Sequence, residues 1–139
     1  MNAVFALLWL IRWLPMPVIG ALAWLLGTVA CLLAGERRRV GQRNLRLCFP
    51  ELPTSTRNRI LRKHFRHMIR LVLEYGVLWW SPANRLARLV TIKNLDYVTD
   101  LRAQGKNVIL FYPHFVGFEL CVFALNQTLP LVSVYSQQK

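Results

Sequence analysis

The sequence predicts an α/β protein with three parts: an N-terminal membrane helix, a basic amphipathic helix, and the start of a parallel αβα sheet. Three observations lead to this prediction. Residues 1–35 carry a single charged side chain, Arg12. Eleven of the 18 Lys and Arg residues lie between residues 37 and 70, where the only acid is Glu51. After Pro82, short apolar runs alternate with segments of helical pattern.

The membrane helix is predicted from the uncharged stretch Trp13–Gly35. At a rise of about 1.5 Å per residue, this stretch is long enough to cross a hydrocarbon core of ~30 Å. Pro15 and Pro17 interrupt it. They either kink one helix or end a first short helix, so that the span begins near Pro17.

Two alternatives to a membrane anchor are a cleaved signal peptide and a buried helix of a soluble protein. A signal peptide begins with a basic segment, whereas the first positive side chain here is Arg12. A buried helix needs a covering sheet that the sequence does not supply. The positive-inside rule places everything after Gly35 in the cytoplasm. We therefore expect an anchor at 1–35 and the N-terminal part of a cytoplasmic domain at 36–139. The arginines that set this orientation are Arg37, Arg38, Arg39, Arg43 and Arg46.

The basic helix is predicted to begin at Thr54 or Ser55, after the breaker Phe49–Pro53, and to end near Trp80. Apolar residues at steps of four and three form a helical stripe, with cationic residues mostly on the other side. Three functions remain open for this helix: a solvated surface, docking to anionic headgroups, or nucleic-acid binding, for which no reading motif is present. The apolar stripe consists of Leu61, Phe65, Met68, Val72 and Tyr75.

The rest of the chain predicts strands at Val90–Ile92, Asn107–Tyr112 and Leu131–Tyr135, with helices at Asn94–Ala103 and Phe115–Asn126. A strand, a helix and a second strand in this order form a right-handed βαβ unit with parallel strands. In such sheets the reactive groups collect at the carboxyl ends of the strands.

His114 follows the central predicted strand, and Glu119 lies five residues later. The two side chains meet only if His114 lies in the loop and Glu119 in the first turns of the next helix. A carboxylate that accepts a proton from one imidazole nitrogen leaves the other nitrogen as a general base. Gly117 would let a substrate approach the backbone closely. The alternative is that Glu119 caps the helix and His114 packs at a strand end.

The stretch HFVGFE after NVILFYP resembles the H-x4-[DE] motif of glycerolipid-type acyltransferases. It is similar in particular to the lauroyl/myristoyl acyltransferase family of lipid A biosynthesis, in which the motif commonly reads HFGNWE. Residues 37–52 and 134–139 resemble two further blocks of that family. The resemblance departs at Ser136, where many members carry an arginine.

The resemblance implies transfer of a fatty acyl chain from acyl carrier protein to a hydroxyl of a lipid A precursor. The reaction would take place at the cytoplasmic face of the inner membrane, with His114 as general base, Glu119 as its orienting partner and no covalent acyl-enzyme. No metal, other cofactor or nucleic acid is implied; phosphopantetheine arrives with the donor, and anionic membrane lipids are expected partners. The implied substrate-binding residues are Gly117, Arg37, Arg38 and Arg39.

Members of that family are about twice as long as this chain, so we expect an N-terminal fragment with little or no activity alone. A different class of function is also consistent with the sequence. A non-enzymatic membrane-peripheral protein would hold anionic lipid through the basic collar, here defined as residues 37–46.

Overall fold

The computed structural model of the protein describes residues 2–113 and 115–132, and these contain seven α-helices. The chain divides into two compact units, Met1–Trp80 and Ser81–Lys139. The first unit contains α1 (Ala3–Ile11), α2 (Met16–Leu33), α3 (Gly35–Cys48) and α4 (Thr54–Trp80). The second contains α5 (Ala83–Ala87), α6 (Asp96–Ala103) and α7 (Phe118–Thr128).

The two prolines near the N-terminus separate two helices rather than kinking one. Pro15 is the N-cap of α2 in extended conformation (φ −63°, ψ 148°), and Pro17 lies in its first turn. Proline is well tolerated there, because the first helical N–H groups have no intrahelical acceptor. In the described part of the chain, Met16–Leu33 is the one helix long and apolar enough to cross a membrane.

α4 packs against α2 and α1 through small residues. A Cβ atom on Gly27 of α2 would collide with the backbone of Arg66, and one on Gly76 of α4 would collide with the carbonyl of Leu8. Glycine at both positions therefore lets the helix backbones approach closely, as in membrane helix pairs. Along α2, the buried stripe repeats every four residues and consists of Ile19, Ala23, Gly27 and Cys31.

The bounds of α4 agree with the sequence prediction, but its buried face is only partly the predicted stripe. Leu61 is buried, whereas Met68 and Val72 are 45% and 46% exposed. The second half of the helix instead buries Leu73 and Val77, which lie on the Gly76 side. The close approach at Gly76 selects this face, because a larger side chain would hold the helices apart.

The basic collar forms a regular helix, α3, which the sequence analysis did not anticipate. Glu36 lies in its first turn and Arg46 in its last, so both charges complement the helix dipole. α3 packs on α4 where Gly41 meets the side chain of Leu61, and Gln42 donates a hydrogen bond to Asn58 (3.5 Å).

The predicted parallel sheet is not present in the described residues. Their regular secondary structure is helical. The segments 90–92 and 107–112 form neither helix nor strand. Ile109 and Phe111 are 93% and 96% exposed. A strand needs a neighbouring strand to pair its backbone N–H and C=O groups, and among the described residues no strand pairs with these segments. The third predicted strand, 131–135, falls mostly outside the described residues.

The helix predicted between the first two strands is confirmed. It forms α6 and is followed by Gly105, whose φ of +73° is a backbone conformation that favours glycine. The next predicted helix also forms, as α7, although it begins three residues later than expected.

Candidate functional site

The turn that leads into α7 is built on Gly117. This residue is the N-cap of the helix, with φ +87° and ψ 1°, a left-handed conformation that side chains with a Cβ rarely adopt. The N–H of Phe118 donates to the carbonyl of Phe115 (3.1 Å), which closes the turn. A Cβ at Gly117 would meet no atom of the described residues within 4 Å, so these residues leave the space beside this backbone open.

Glu119 lies in the first turn of α7, where the sequence analysis places it. A negative charge in the first turn interacts favourably with the N-terminal end of the helix dipole. The side chain is half-buried, and its Oε2 atom is buried. His114 lies outside the described residues, so the pairing of His114 with Glu119 stays a prediction.

An aromatic pair joins Tyr112, which precedes the motif, to Phe118, the first residue of α7. The rings of Tyr112 and Phe118 lie 5.0 Å apart at an angle of 47°, which is a favourable separation for an aromatic pair. α7 in turn packs against α5, and each contributes a buried leucine, Leu120 and Leu86. The aromatic contact therefore joins the segment before the motif to the first residue of α7.

The three arginines predicted to bind substrate lie in the first turns of α3. Arg37 and Arg39 are exposed, and Arg38 is half-buried. Successive residues of a helix point about 100° apart, so the three do not form one surface. Arg39 lines a cleft between α3 and α4, whereas Arg37 and Arg38 do not.

Arg43, Arg46 and Arg57 also line this cleft, although none of them is among the expected substrate-binding residues. A signal for two of them is present in the sequence. Counted from Arg39, they follow at steps of four and three, which is the spacing of one helix face. Their shared face is visible only once residues 35–48 are known to be helical.

Two cations of α4 bind within the first unit instead of lying on a solvated face. Arg66 donates from Nε to Thr28 Oγ1 (3.1 Å), and its guanidinium lies 4.5 Å from the ring centroid of Trp24. Arg70 Nε lies 2.6 Å from Glu74 Oε1, and Glu74 is 5% exposed. Arg66 is thus held beside the apolar helix α2, and the half-exposed Arg70 pairs with the buried carboxylate of Glu74.

Metal-binding side chains do not cluster in the described part of the chain. No group of three or more His, Cys, Asp or Glu residues there could hold a metal ion. His64 and His67, which lie three residues apart on α4, are both exposed.

Comparison with known proteins identifies relatives along nearly the whole chain. The family described as "Bacterial lipid A biosynthesis acyltransferase" matches residues 1–139. The chain is 33% identical over 128 residues to the lipid A biosynthesis lauroyltransferase of Escherichia coli (strain K12), and 27% identical over 128 residues to the palmitoleoyltransferase of that strain. It is 29% identical over 124 residues to a lipid A biosynthesis acyltransferase of Haemophilus influenzae.

These alignments cover 92%, 92% and 88% of this chain, but only 42%, 42% and 39% of the respective relatives. The chain therefore spans about two-fifths of the length of the curated relatives that it matches. No solved structure matches the chain.

Proposed function

The chain belongs to the bacterial lipid A biosynthesis acyltransferase family, and from this premise we propose that it forms the membrane-bound part of an acyltransferase. The enzyme moves a fatty acyl chain from acyl carrier protein to a hydroxyl of a lipid A precursor. The observation that carries the proposal is the family match along residues 1–139, within which Glu119 occupies the first turn of α7.

In the proposed reaction, His114 removes the proton of the acceptor hydroxyl as its oxygen attacks the thioester carbon. Glu119 holds the imidazole in the productive tautomer and stabilises the imidazolium that forms. The tetrahedral intermediate then expels the phosphopantetheine thiolate, which takes the proton back from His114. The acyl group passes directly to the acceptor, and no acyl-enzyme forms.

The developing oxyanion is placed at the start of α7, where the helix dipole favours negative charge. Two features of the turn support this placement. Gly117 has the left-handed conformation that starts the helix sharply, and the space beside its backbone is open. A substrate carbonyl can approach there without meeting a side chain of the described residues.

We also propose that residues 107–112 become a strand when the rest of a family acyltransferase is present. The support is the exposure of Ile109 and Phe111, since an apolar run of this kind is typical of a sheet covered on both faces. Pairing with neighbouring strands would bury these side chains and satisfy their backbone groups. His114 would then follow the carboxyl end of that strand.

For the membrane geometry, we propose that α2 is the single crossing helix and that the chain after Gly35 lies on the cytoplasmic side. The second half of α4 (68–80), which contacts α1 through Gly76 and Trp79, measures about 20 Å at 1.5 Å per residue, so it enters the bilayer without crossing it. Its exposed apolar residues support contact with lipid. On α4 the most exposed of them are Met68, Val72 and Trp79. Phe5 of α1, which is also exposed, contacts Trp79.

The test is transfer of a labelled acyl group from acyl carrier protein to a lipid A precursor in membranes. The chain is joined to the remaining sequence of a family relative, and His114→Ala is compared with His64→Ala, an exposed histidine of α4. We expect His114→Ala to lower the rate by ~100-fold or more, and His64→Ala to leave it unchanged. Equal rates in the two variants would refute the role of His114. No transfer in any variant, with anionic lipid still bound, would favour the non-enzymatic lipid-binding function.

A further inference from the structure

The cleft between α3 and α4 is lined by four arginine side chains. It has a volume of about 330 Å³. None of the described side chains that line it is a carboxylate. Its polar lining consists mainly of Arg39, Arg43, Arg46, Arg57, Gln42 and Asn58.

Three of the four guanidinium groups come from one face of α3. Arg39, Arg43 and Arg46 are spaced by four and three residues, so they project toward the same side. Like charges at these spacings disfavour the helix, and charges around a concave surface reinforce one another. An anion bound between them would relieve this repulsion.

Arg57 adds a fourth charge from α4, and its guanidinium is fixed in place. Nη1 donates to the carbonyls of Phe49, Pro50 and Leu52 (3.3, 3.2 and 2.5 Å), and Nη2 donates to Thr54 Oγ1 (3.1 Å). These bonds order the side chain before any ligand arrives, which lowers the entropic cost of binding. All four acceptors are uncharged, so the positive charge stays available to the cleft.

The chemistry of the cleft and its place in the chain both favour the phosphate of a lipid. Planar guanidinium groups match phosphate oxygens in two-point hydrogen bonds. α3 begins at Gly35, two residues after the end of α2 at Leu33, and Arg39 lies four residues further, about 6 Å along α3. The headgroup layer begins where the hydrocarbon core ends and is roughly 5–8 Å thick. The mouth of the cleft is thus within reach of lipid phosphates once α2 crosses the bilayer.

We infer that the α3–α4 cleft binds the phosphate group of a membrane lipid, supplied by a phospholipid headgroup or by a phosphorylated glycolipid. The inference rests on the proposed membrane placement of α2, but it does not require acyl transfer. Binding and catalysis are therefore measured separately.

The experiment uses the 139-residue chain in neutral detergent micelles. It is titrated with short-chain phosphatidylglycerol, with a lipid A precursor that carries phosphate, with the same glycolipid after dephosphorylation, and with inorganic phosphate. Arg43→Gln/Arg46→Gln is compared with Arg59→Gln/Arg62→Gln, which removes two charges from exposed positions of α4 outside the cleft. We expect the cleft variant to weaken binding of the phosphorylated lipid at least ~10-fold, and the control variant to change it less than ~2-fold.

A second pair of variants tests the cleft without removing an arginine. Gln42→Glu places a carboxylate among the four cations, and Asn44→Asp makes the same charge change at an exposed position of α3 outside the cleft. We expect only Gln42→Glu to weaken binding. Circular dichroism checks that all variants keep their helix content.

The arms of the titration separate the two sources of phosphate. Saturable binding of phosphatidylglycerol identifies a headgroup site, and binding of the phosphorylated glycolipid alone identifies a site for the acceptor substrate. Equal weakening in cleft and control variants, or equal binding of the dephosphorylated glycolipid, would overturn the inference. So would Arg43- and Arg46-dependent binding of acyl carrier protein with none to either lipid. The titration measures binding without acyl transfer, so failure of the catalytic proposal is distinguishable from failure of this inference.

Discussion

The two units of the chain differ in how completely their apolar side chains are covered. In the first unit, α4 lies against α1 and α2 and buries Val77 completely (0% exposed). In the second, Ile109, Phe111 and Val132 are each more than 90% exposed. A helix satisfies its own backbone hydrogen bonds and needs only side-chain partners, whereas a strand also needs a neighbouring backbone. Helices therefore form in the described part of the chain, whereas the predicted strands at 90–92 and 107–112 do not.

The largest effect is expected where one polar substitution is made in both units. Val77→Asp places a carboxylate in a closed helix contact without a partner, and should lower the free energy of unfolding by about 3 kcal/mol or more. Phe111→Asp changes a side chain that is already 96% exposed, and should change this free energy by less than about 0.5 kcal/mol. Denaturant unfolding of the 139-residue chain in detergent micelles, followed by circular dichroism, measures both.

The same pair of substitutions also tests the proposed strand. In a protein completed with the remaining sequence of a relative, Phe111→Asp should become destabilising by about 2–3 kcal/mol, because the side chain would be buried. If Phe111→Asp stays neutral in the completed protein, residues 107–112 are not a covered strand.

A smaller effect, of about 1–3 kcal/mol, is expected at the contact between α2 and α4. Gly27→Leu puts a side chain where the backbone of Arg66 lies, so the helices must separate. Gly20→Leu, on the same helix, adds its Cβ in open space and serves as the matched control. Thermal unfolding in micelles should show a lower midpoint for Gly27→Leu only. A lower midpoint in both variants would mean that the close approach at Gly27 is not what stabilises this unit.

The smallest effect on stability concerns the turn before α7. Gly117→Ala should cost about 1 kcal/mol, because alanine at φ +87° is strained although nothing crowds its Cβ. If the turn positions the reacting groups, acyl transfer by the completed protein should fall by more than the fraction unfolded explains. The matched control is Gly35→Ala, where φ is not positive and a Cβ meets no atom within 4 Å. An unchanged rate in Gly117→Ala would argue against a role for this backbone in catalysis.

Local patterns in the sequence were sufficient for several parts of the molecule. The absence of charge after Trp13 predicted the apolar helix α2, although the prolines at 15 and 17 left its start open, and the end of α4 near Trp80 was predicted correctly. The H-x4-E spacing placed Glu119 in the first turn of a helix, where the structure has it. Each of these features depends on residues close together in the chain, so the sequence alone determined them.

Only the tertiary structure decided which face of α4 is buried and which cations have partners. A count of apolar residues selected the face of Met68 and Val72, whereas the glycine contacts at Gly27 and Gly76 buried the face of Leu73 instead. The α3–α4 cleft likewise joins arginines from two helices. Periodicity records the hydrophobicity of one helix at a time, but close packing depends on the shape of two surfaces that lie far apart in sequence.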